Sequence, residues 1–490
     1  MKPSKIGLLP LYLQFYDETL PGLASQLEPF VPQVRQRLET AGLEVVAAPI
    51  GRVRADFAAS VQRFEVAGVD AIVTLHLAYS PSLESAGVLA QSRLPVVMLD
   101  TTPDRDFGGH VDPLRLLENH GIHGVQDLAC VLRRLGKPYQ VVAGHLDDAG
   151  VVERCVAAVR AAKAGTIAVR NGAQTPHLDG TTSPAARCAA RALQSMRVLR
   201  IGGMFPEMGD FAVSDAVLEK CLGITVENIA PADLAADVNA VTQSEVAAEV
   251  AADAMRFEVD CSAEVHARSV RVGLGLRRAL TRGHYGAFSL NFLAFDAAIG
   301  PVTTVPFLEC CLGMARGLGY AGEGDALTAA LVGALSQGFG ATTFTEIFCA
   351  DWAGNSLFLS HMGEINCAET AAKPLLYEKE FPFTPALNPA TLACAPRPGP
   401  ATLVNLAPGP DDTFRLITAP VEVLADGTHP DLARWVRGWI RPAFPLPRFL
   451  EEFSHLGGTH HSALMSGEHT AALADFAACL AIEHCNLSRP

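Results

Sequence analysis

A chain of 490 residues with 38 Lys and Arg against 52 Asp and Glu carries a formal charge of −14 and has enough length for about three domains with large buried cores. Only 18% of its residues are charged, which gives neither a phosphate-backbone footprint nor a charge-driven disordered tail and excludes nucleic acid as the main partner. Its 12 cysteines are scattered apart from the neighbours Cys310 and Cys311 and form no C-x-x-C pair, so they read as reduced thiols of a cytoplasmic protein.

Met1 to Lys5 leads into the apolar patch Ile6 to Leu11, but Pro10 interrupts that patch and Gln14 to Glu18 is polar and acidic. The segment therefore reads as a first buried strand and not as a signal peptide. Further β-branched or apolar runs follow at Leu43 to Ala48, Asp70 to Leu75, Pro95 to Leu99 and Tyr139 to Ala143. Between them, Phe30 to Ala41, Asp56 to Val66, Asp127 to Leu135 and Ala149 to Ala162 have helical spacing. This βαβ pattern predicts a parallel sheet with helices on both faces. A second α/β set starts near Arg197 to Met204, continues through the helix-like Gln243 to Met255 and reaches Leu327 to Leu335. The window Ala326 to Thr345 holds no ionisable residue over 20 positions, yet its glycines and hydroxyl residues make it a buried helix followed by a loop and strand, not a membrane span. Pro382 to Pro410 contains eight prolines and cannot be one helix. Thr402 to Leu406, Phe414 to Thr418 and Pro420 to Leu424 read as short strands of an antiparallel or barrel-like part. The expected fold is α/β: two Rossmann-like parallel-sheet domains over residues 1–194 and 195–342, then a β-rich, barrel-like domain over 343–490.

Four polar positions interrupt apolar surroundings. In Gly319-Tyr320-Ala321-Gly322-Glu323-Gly324-Asp325, Asp325 is a candidate N-cap and Glu323 projects from the loop before a helix. Glu346 stands within the strand-like Phe344 to Phe348, facing either solvent or the interior. His361 ends the apolar run Leu357 to Ser360 and begins His-Met-Gly-Glu. In Gly457-Gly458-Thr459-His460-His461-Ser462, two histidines follow two glycines, and on extended backbone only one of them is expected to face a given ion. Two carboxylates with two imidazoles form a mixed O/N set suited to Mn(II), Co(II) or Zn(II). No H-E-x-x-H, EF-hand or Walker motif is present.

Taken together, Glu323 in Gly-Glu-Gly-Asp, Glu346 in Phe-Thr-Glu, His361 in Ser-His-Met-Gly-Glu and His461 in Gly-Gly-Thr-His-His resemble the metal-binding set of the L-arabinose isomerase family, within the wider L-fucose and L-arabinose isomerase superfamily. The intervals of 23, 15 and 100 residues are similar to the family's own. His123, in Asn119 to Gly124, takes the place of a histidine that a neighbouring subunit supplies, with His120 beside it. Phe292, Met208 and Met362 fall near the family's pocket residues, and His460 reads as a pocket residue.

The resemblance implies an aldose-ketose isomerase with a divalent metal, most often Mn(II), held by Glu323, Glu346, His361 and His461. The two glutamates would be the acid/base pair of an enediol reaction. It implies a small-molecule sugar substrate, no membrane, and a homo-oligomer (a hexamer or dimer of trimers) with active sites at interfaces. Ile347-Phe348 stand where the family usually has an acidic and an aromatic residue, and Ala326-Leu327 where a tryptophan and a lysine are usual. These changes alter the pocket walls, so the resemblance implies sugar isomerisation without fixing the sugar. The other readings are a non-catalytic sugar-binding or regulatory protein on the same scaffold and a metal-dependent epimerase or hydrolase.

Overall fold

The apolar runs of the first third pair in parallel as β1 (Lys5–Leu11), β2 (Glu44–Ala47), β3 (Ala71–His76), β4 (Val96–Asp100) and β5 (Tyr139–Ala143), in the order β2-β1-β3-β4-β5. The computed structural model describes residues 3–167, 182–427 and 430–488. Alternate residues of one strand enter different cores: Ile6, Leu8, Val73 and Leu75 pack on one face, and Leu9, Leu11 and Ile72 on the other. A strand buried on both faces has no need of polar alternation, which is why these runs are continuously apolar.

The second parallel sheet has the order β10-β9-β6-β7, from β6 (Arg197–Ile201), β7 (Thr225–Ile229), β9 (Ala287–Leu290) and β10 (Gly319–Gly322). The short β8 (Glu258–Asp260) belongs to a separate side sheet. The uncharged window is a helix, Ala326–Phe339, whose residues from Ala326 to Leu335 are all buried. It packs against the second sheet and against Phe344, Ala463 and Met465 of the next unit in one shared core.

That unit is a closed antiparallel barrel. Its strands are β11 (Thr342–Asp351), β12 (Ser356–Ser360), β15 (Gly399–Pro408), β16 (Phe414–Val423), β17 (Gly438–Pro442) and β18 (His461–Ser466). They run β15-β18-β11-β12-β17-β16, and β16 returns to β15 across a ten-pair ladder. β19 (Glu483–Asn486) adds in parallel to β16, while β13 (Leu375–Glu378) and β14 (Ala390–Ala393) join β8 in the side sheet. Closure leaves the six barrel strands without free edges. The runs Phe414 to Thr418 and Pro420 to Leu424, expected as two strands, are one strand through Pro420, so the proline weakens the ladder without ending it. Among the described residues no helix is long and apolar enough to cross a membrane.

The first sheet docks on the barrel through the helix Ile122–Arg134 and the helix Leu446–His455. Ile122 and Ala143 lie in the barrel's own apolar cluster. The Tyr139 hydroxyl donates to the Ser454 carbonyl at 2.8 Å, and the Trp439 indole N–H donates to the Phe107 carbonyl at 2.7 Å.

At this junction Asp100 is buried at the end of β4 and its carboxyl is pushed up to about 8, by burial first and then by Glu451. The folded chain thus keeps a proton that the unfolded chain releases near pH 4, so folding becomes less favourable as pH rises, until about pH 8. Asp100→Asn removes this term. The variant is expected to gain stability over the wild type by up to about 1.4 kcal/mol per pH unit across that window. Unfolding of both proteins at pH 5 and pH 8 checks this; parallel pH dependences would contradict it.

Candidate active site

The barrel register brings distant residues to one level. On β11, Glu346 lies opposite His461 of β18 on one side and Ser360 of β12 on the other, with His361 following at the end of β12. Directly opposed residues of an antiparallel pair share a face, so Glu346 and His461 both turn toward the second sheet. Of the two orientations open to Glu346 from sequence, the buried one holds: its strand is central and its side chain 7% exposed. Phe344, two residues earlier on the same face, packs edge-on against the rings of His361 and His461 at 4.8 and 4.9 Å.

Glu323 arrives from the other direction, just past β10. Its backbone lies in the left-handed region (φ 61°) and is followed by Gly324 at φ 84°. A side-chain-bearing residue there stores strain, which the surroundings must hold. They do so through the Phe205 N–H, which donates to the Glu323 carbonyl at 2.9 Å. The Arg200 guanidinium likewise donates to the Gly324 carbonyl at 2.9 Å. A Cβ on Gly324 would sit 2.2 Å from the Gly203 carbonyl oxygen, so this turn requires glycine. Asp325 is the N-cap expected from sequence, accepting from the Thr328 N–H at 2.8 Å through Oδ1. Its other oxygen accepts from His461 Nδ1 at 3.1 Å.

Ligand atoms of Glu323, His361 and His461 lie within 4.8 Å of one another, all buried. His361 Nδ1 donates to Glu364 Oε2 at 2.7 Å, and Glu364 also accepts from the Tyr320 hydroxyl at 2.6 Å. With each Nδ1–H tied to a carboxylate, the Nε2 atoms of His361 and His461 are left buried without a hydrogen-bond partner. His461 Nε2 is 3.4 Å from Glu323 Oε2. This is the donor arrangement of metal-ligating imidazoles, in which the second nitrogen is fixed by an acid. Glu346 stands beside the group: its Oε2 is 3.9 Å from His361 Nε2 and its Oε1 is 2.6 Å from His123 Nδ1.

Electrostatics follow from this packing. Burial pushes the Glu323 carboxyl up, but the neighbouring imidazoles of His460 and His461 outweigh it and hold the group below the usual range. Burial likewise opposes ionisation of Glu346, and His123 overcomes it. Burial lowers the two imidazoles; Glu364 more than offsets this for His361, and Asp325 with Glu323 lifts His461 to about 9.

The remaining sequence candidates lie around this centre. His123 lies beside Glu346 within this one chain, where the helix Ile122–Arg134 packs its first turn against the barrel. His120 packs against His123 and Phe348, donates from Nδ1 to the Leu117 carbonyl at 2.8 Å and accepts from the Tyr16 hydroxyl at 3.0 Å. Phe292 touches Phe205, Phe381 and Phe383, and so reaches the site through the residue bonded to Glu323. Met208 is buried in the core shared with the second sheet, and Met362, which follows His361 in the chain, packs against that core. Both histidines of the pair approach Glu323, with His460 Nε2 3.8 Å from its Oε2, although extended backbone would separate them. His460 precedes β18, and the two rings meet at 4.2 Å.

Sequence reading missed Tyr16, Tyr79, Asp127, Asp210 and the second role of Asp325. Glu364 was visible in Ser-His-Met-Gly-Glu as an acid three residues after His361. The others had no signal, since the partners that define their roles are 45 to 250 residues away.

Comparison with known proteins points the same way. The family model for the L-arabinose isomerase central domain matches residues 198–338, and that for the L-arabinose isomerase C-terminal domain matches residues 341–483. An L-arabinose isomerase of Shouchella clausii is 27% identical, covering 97% of this chain and 92% of its own length. That of a Nocardioides species is 28% identical over 83% of this chain and 78% of its own, and that of Acidothermus cellulolyticus is 26% identical over the same shares. The two matched regions span more than half of the sequence and contain Glu323, Glu346, His361 and His461, and on these grounds the chain belongs to the L-arabinose isomerase family.

Proposed function

We propose that this member of a sugar isomerase family is a metal-dependent aldose-ketose isomerase whose acid/base pair is Glu323 and Glu346. The observation that carries the reading is the pair of buried imidazoles, His361 and His461, each anchored at Nδ1 and each turning an unpartnered Nε2 toward a carboxylate. Such atoms are costly to leave bare, and a cation satisfies them. Glu323, His361 and His461 would hold it, with Glu346 alongside. The oxygen and nitrogen donors, without a thiolate, favour Mn(II) or a similar divalent ion. When bound, that ion would polarise the carbonyl and the adjacent hydroxyl of an aldose.

The chain's own groups supply the rest. Both carboxylates are held ionised, so one can take the proton from C2 and a proton is returned at C1, with the complementary exchange between the O2 and O1 oxygens. His123 at Glu346 Oε1 fixes the direction of that carboxylate. Tyr79, Phe211 and Phe348 wall the histidines and keep water from the reacting carbons.

With Mn(II) present, an aldose panel of pentoses, hexoses and deoxyhexoses is expected to yield at least one ketose. Glu323→Gln and Glu346→Gln should each lower turnover by about 10²- to 10⁴-fold with circular dichroism unchanged. Sugar binding with no turnover across the panel would instead support the non-catalytic reading.

Metal binding has a predictable sign. In the metal-free chain His461 holds its proton up to about pH 9, so binding below that pH must expel it. Affinity for Mn(II) should rise about tenfold per pH unit for one released proton between pH 6 and 8. Calorimetry in buffers of different ionisation enthalpy reads both quantities; pH-independent affinity would contradict the assignment.

The contact between His123 and Glu346 within one chain also bears on assembly. If each chain completes its own site, co-expressing His123→Ala with His361→Ala should restore no activity in mixed oligomers. Recovery well above either single variant would mean that subunits exchange this histidine.

A further inference from the structure

His361, Met362, Gly363 and Glu364 follow one another on the loop that leaves β12, so the imidazole and the carboxylate bonded to its Nδ1 share one short piece of backbone. That backbone is held by the side sheet and a helix, outside the group of ligand atoms. The Gly363 carbonyl accepts from Thr391 Oγ1 of β14 at 2.9 Å and from Cys311 Sγ, on the helix Phe307–Ala315, at 3.3 Å. A Cβ on Gly363 (φ 145°) would lie 2.2 Å from Thr391 Oγ1, so the loop lies directly on the side sheet and requires glycine there. The Met362 carbonyl accepts from the Lys379 ammonium.

The side sheet sets where Lys379 starts. It directly follows β13, and its backbone N–H donates to the Pro389 carbonyl at 2.9 Å, one step beyond the Glu378–Ala390 pair of the β13–β14 ladder. Its amine lies 5.5 Å from the centre of the Trp435 ring, a surface that favours a cation. It is also near enough to Glu364 for the two opposite charges to stabilise each other. Burial pushes the amine down and the Glu364 charge opposes this, leaving it at about 8 and cationic at neutral pH. Lys379 therefore acts on the backbone next to His361 and on the acid at its Nδ1. The same positive charge repels a bound metal ion, so the two effects have opposite signs. Were Lys379 only a nearby charge, its loss would tighten metal binding; if it holds the loop, its loss weakens it.

We infer that Lys379 is a positioning residue for the metal centre: through the Met362 carbonyl and the Glu364 charge it fixes the loop that presents His361 to the cation. This rests on the metal-dependent reading of the site. It gives the side sheet, which supplies none of the ligand atoms, a part in holding them. Lys379→Met keeps the aliphatic stem and loses both the donor and the charge.

Two measurements test it. In calorimetric titration with Mn(II), Lys379→Met should bind about 10-fold or more weakly than the wild type, with circular dichroism unchanged. The second needs no variant. Coupling between two events is reciprocal, so Mn(II) should hold Lys379 in place as Lys379 holds the loop. Acetylation of the wild type by an N-hydroxysuccinimide ester, read by mass spectrometry, should slow at Lys379 by about threefold or more on Mn(II) loading. The exposed Lys220 should react at an unchanged rate. Equal or tighter Mn(II) binding by folded Lys379→Met would overturn the inference. Acetylation of Lys379 that ignores Mn(II) would do the same even if the variant failed to fold. No Mn(II) uptake by the wild type would overturn it together with the metal-dependent reading. A wild type that binds Mn(II), protects Lys379 and converts no aldose would sink the isomerase reading and leave this one standing.

Discussion

A buried imidazole whose Nδ1–H is given to a buried carboxylate is the unit on which this centre depends. It recurs here, as Asp325 with His461, Glu364 with His361 and Asp210 with His460. Each acid settles which ring nitrogen carries the proton and which way the other points. Taken singly, each is an ion pair whose desolvation cost nearly cancels its attraction. Together they present three Nε2 atoms to one region, at a level of order that loops with free side chains would not reach.

The fold supplies what the pairs need. Antiparallel register on the closed barrel sets Glu346 against His461 and beside the end of β12. Glu323 is delivered by a strained turn just past β10, and Asp325, which caps the following helix, reaches back to His461. Strain at Glu323 and polar burial around it both reduce stability. The large apolar core shared by the second sheet, the helix Ala326–Phe339 and the outer face of the barrel offsets them.

Much of this was legible in the chain. The five runs of the first sheet were readable because a strand covered on both faces leaves an unbroken apolar signature. The helix after Asp325 was readable because its cap, its lack of charge and its glycine-rich lead-in all agree. Glu346 was ambiguous, since an isolated strand cannot say whether it lies at an edge, and only pairing with β12 and β18 resolves that. The assignment of two strands around Pro420 failed because a proline tolerated inside a ladder looks locally like a break. Asp210 and Asp127 carried no local sign at all, because their roles come from partners that the chain brings together only on folding. The same holds for His123: its position beside Glu346 depends on how the first sheet docks against the barrel, which no spacing encodes.

X-ray absorption at the manganese edge of the Mn(II)-loaded protein tests the central claim most directly. The account predicts an oxygen and nitrogen shell with outer-sphere scattering from two imidazoles, reduced to one in His361→Ala and in His461→Ala. A shell of oxygens alone, or a spectrum unchanged by both substitutions, would contradict it.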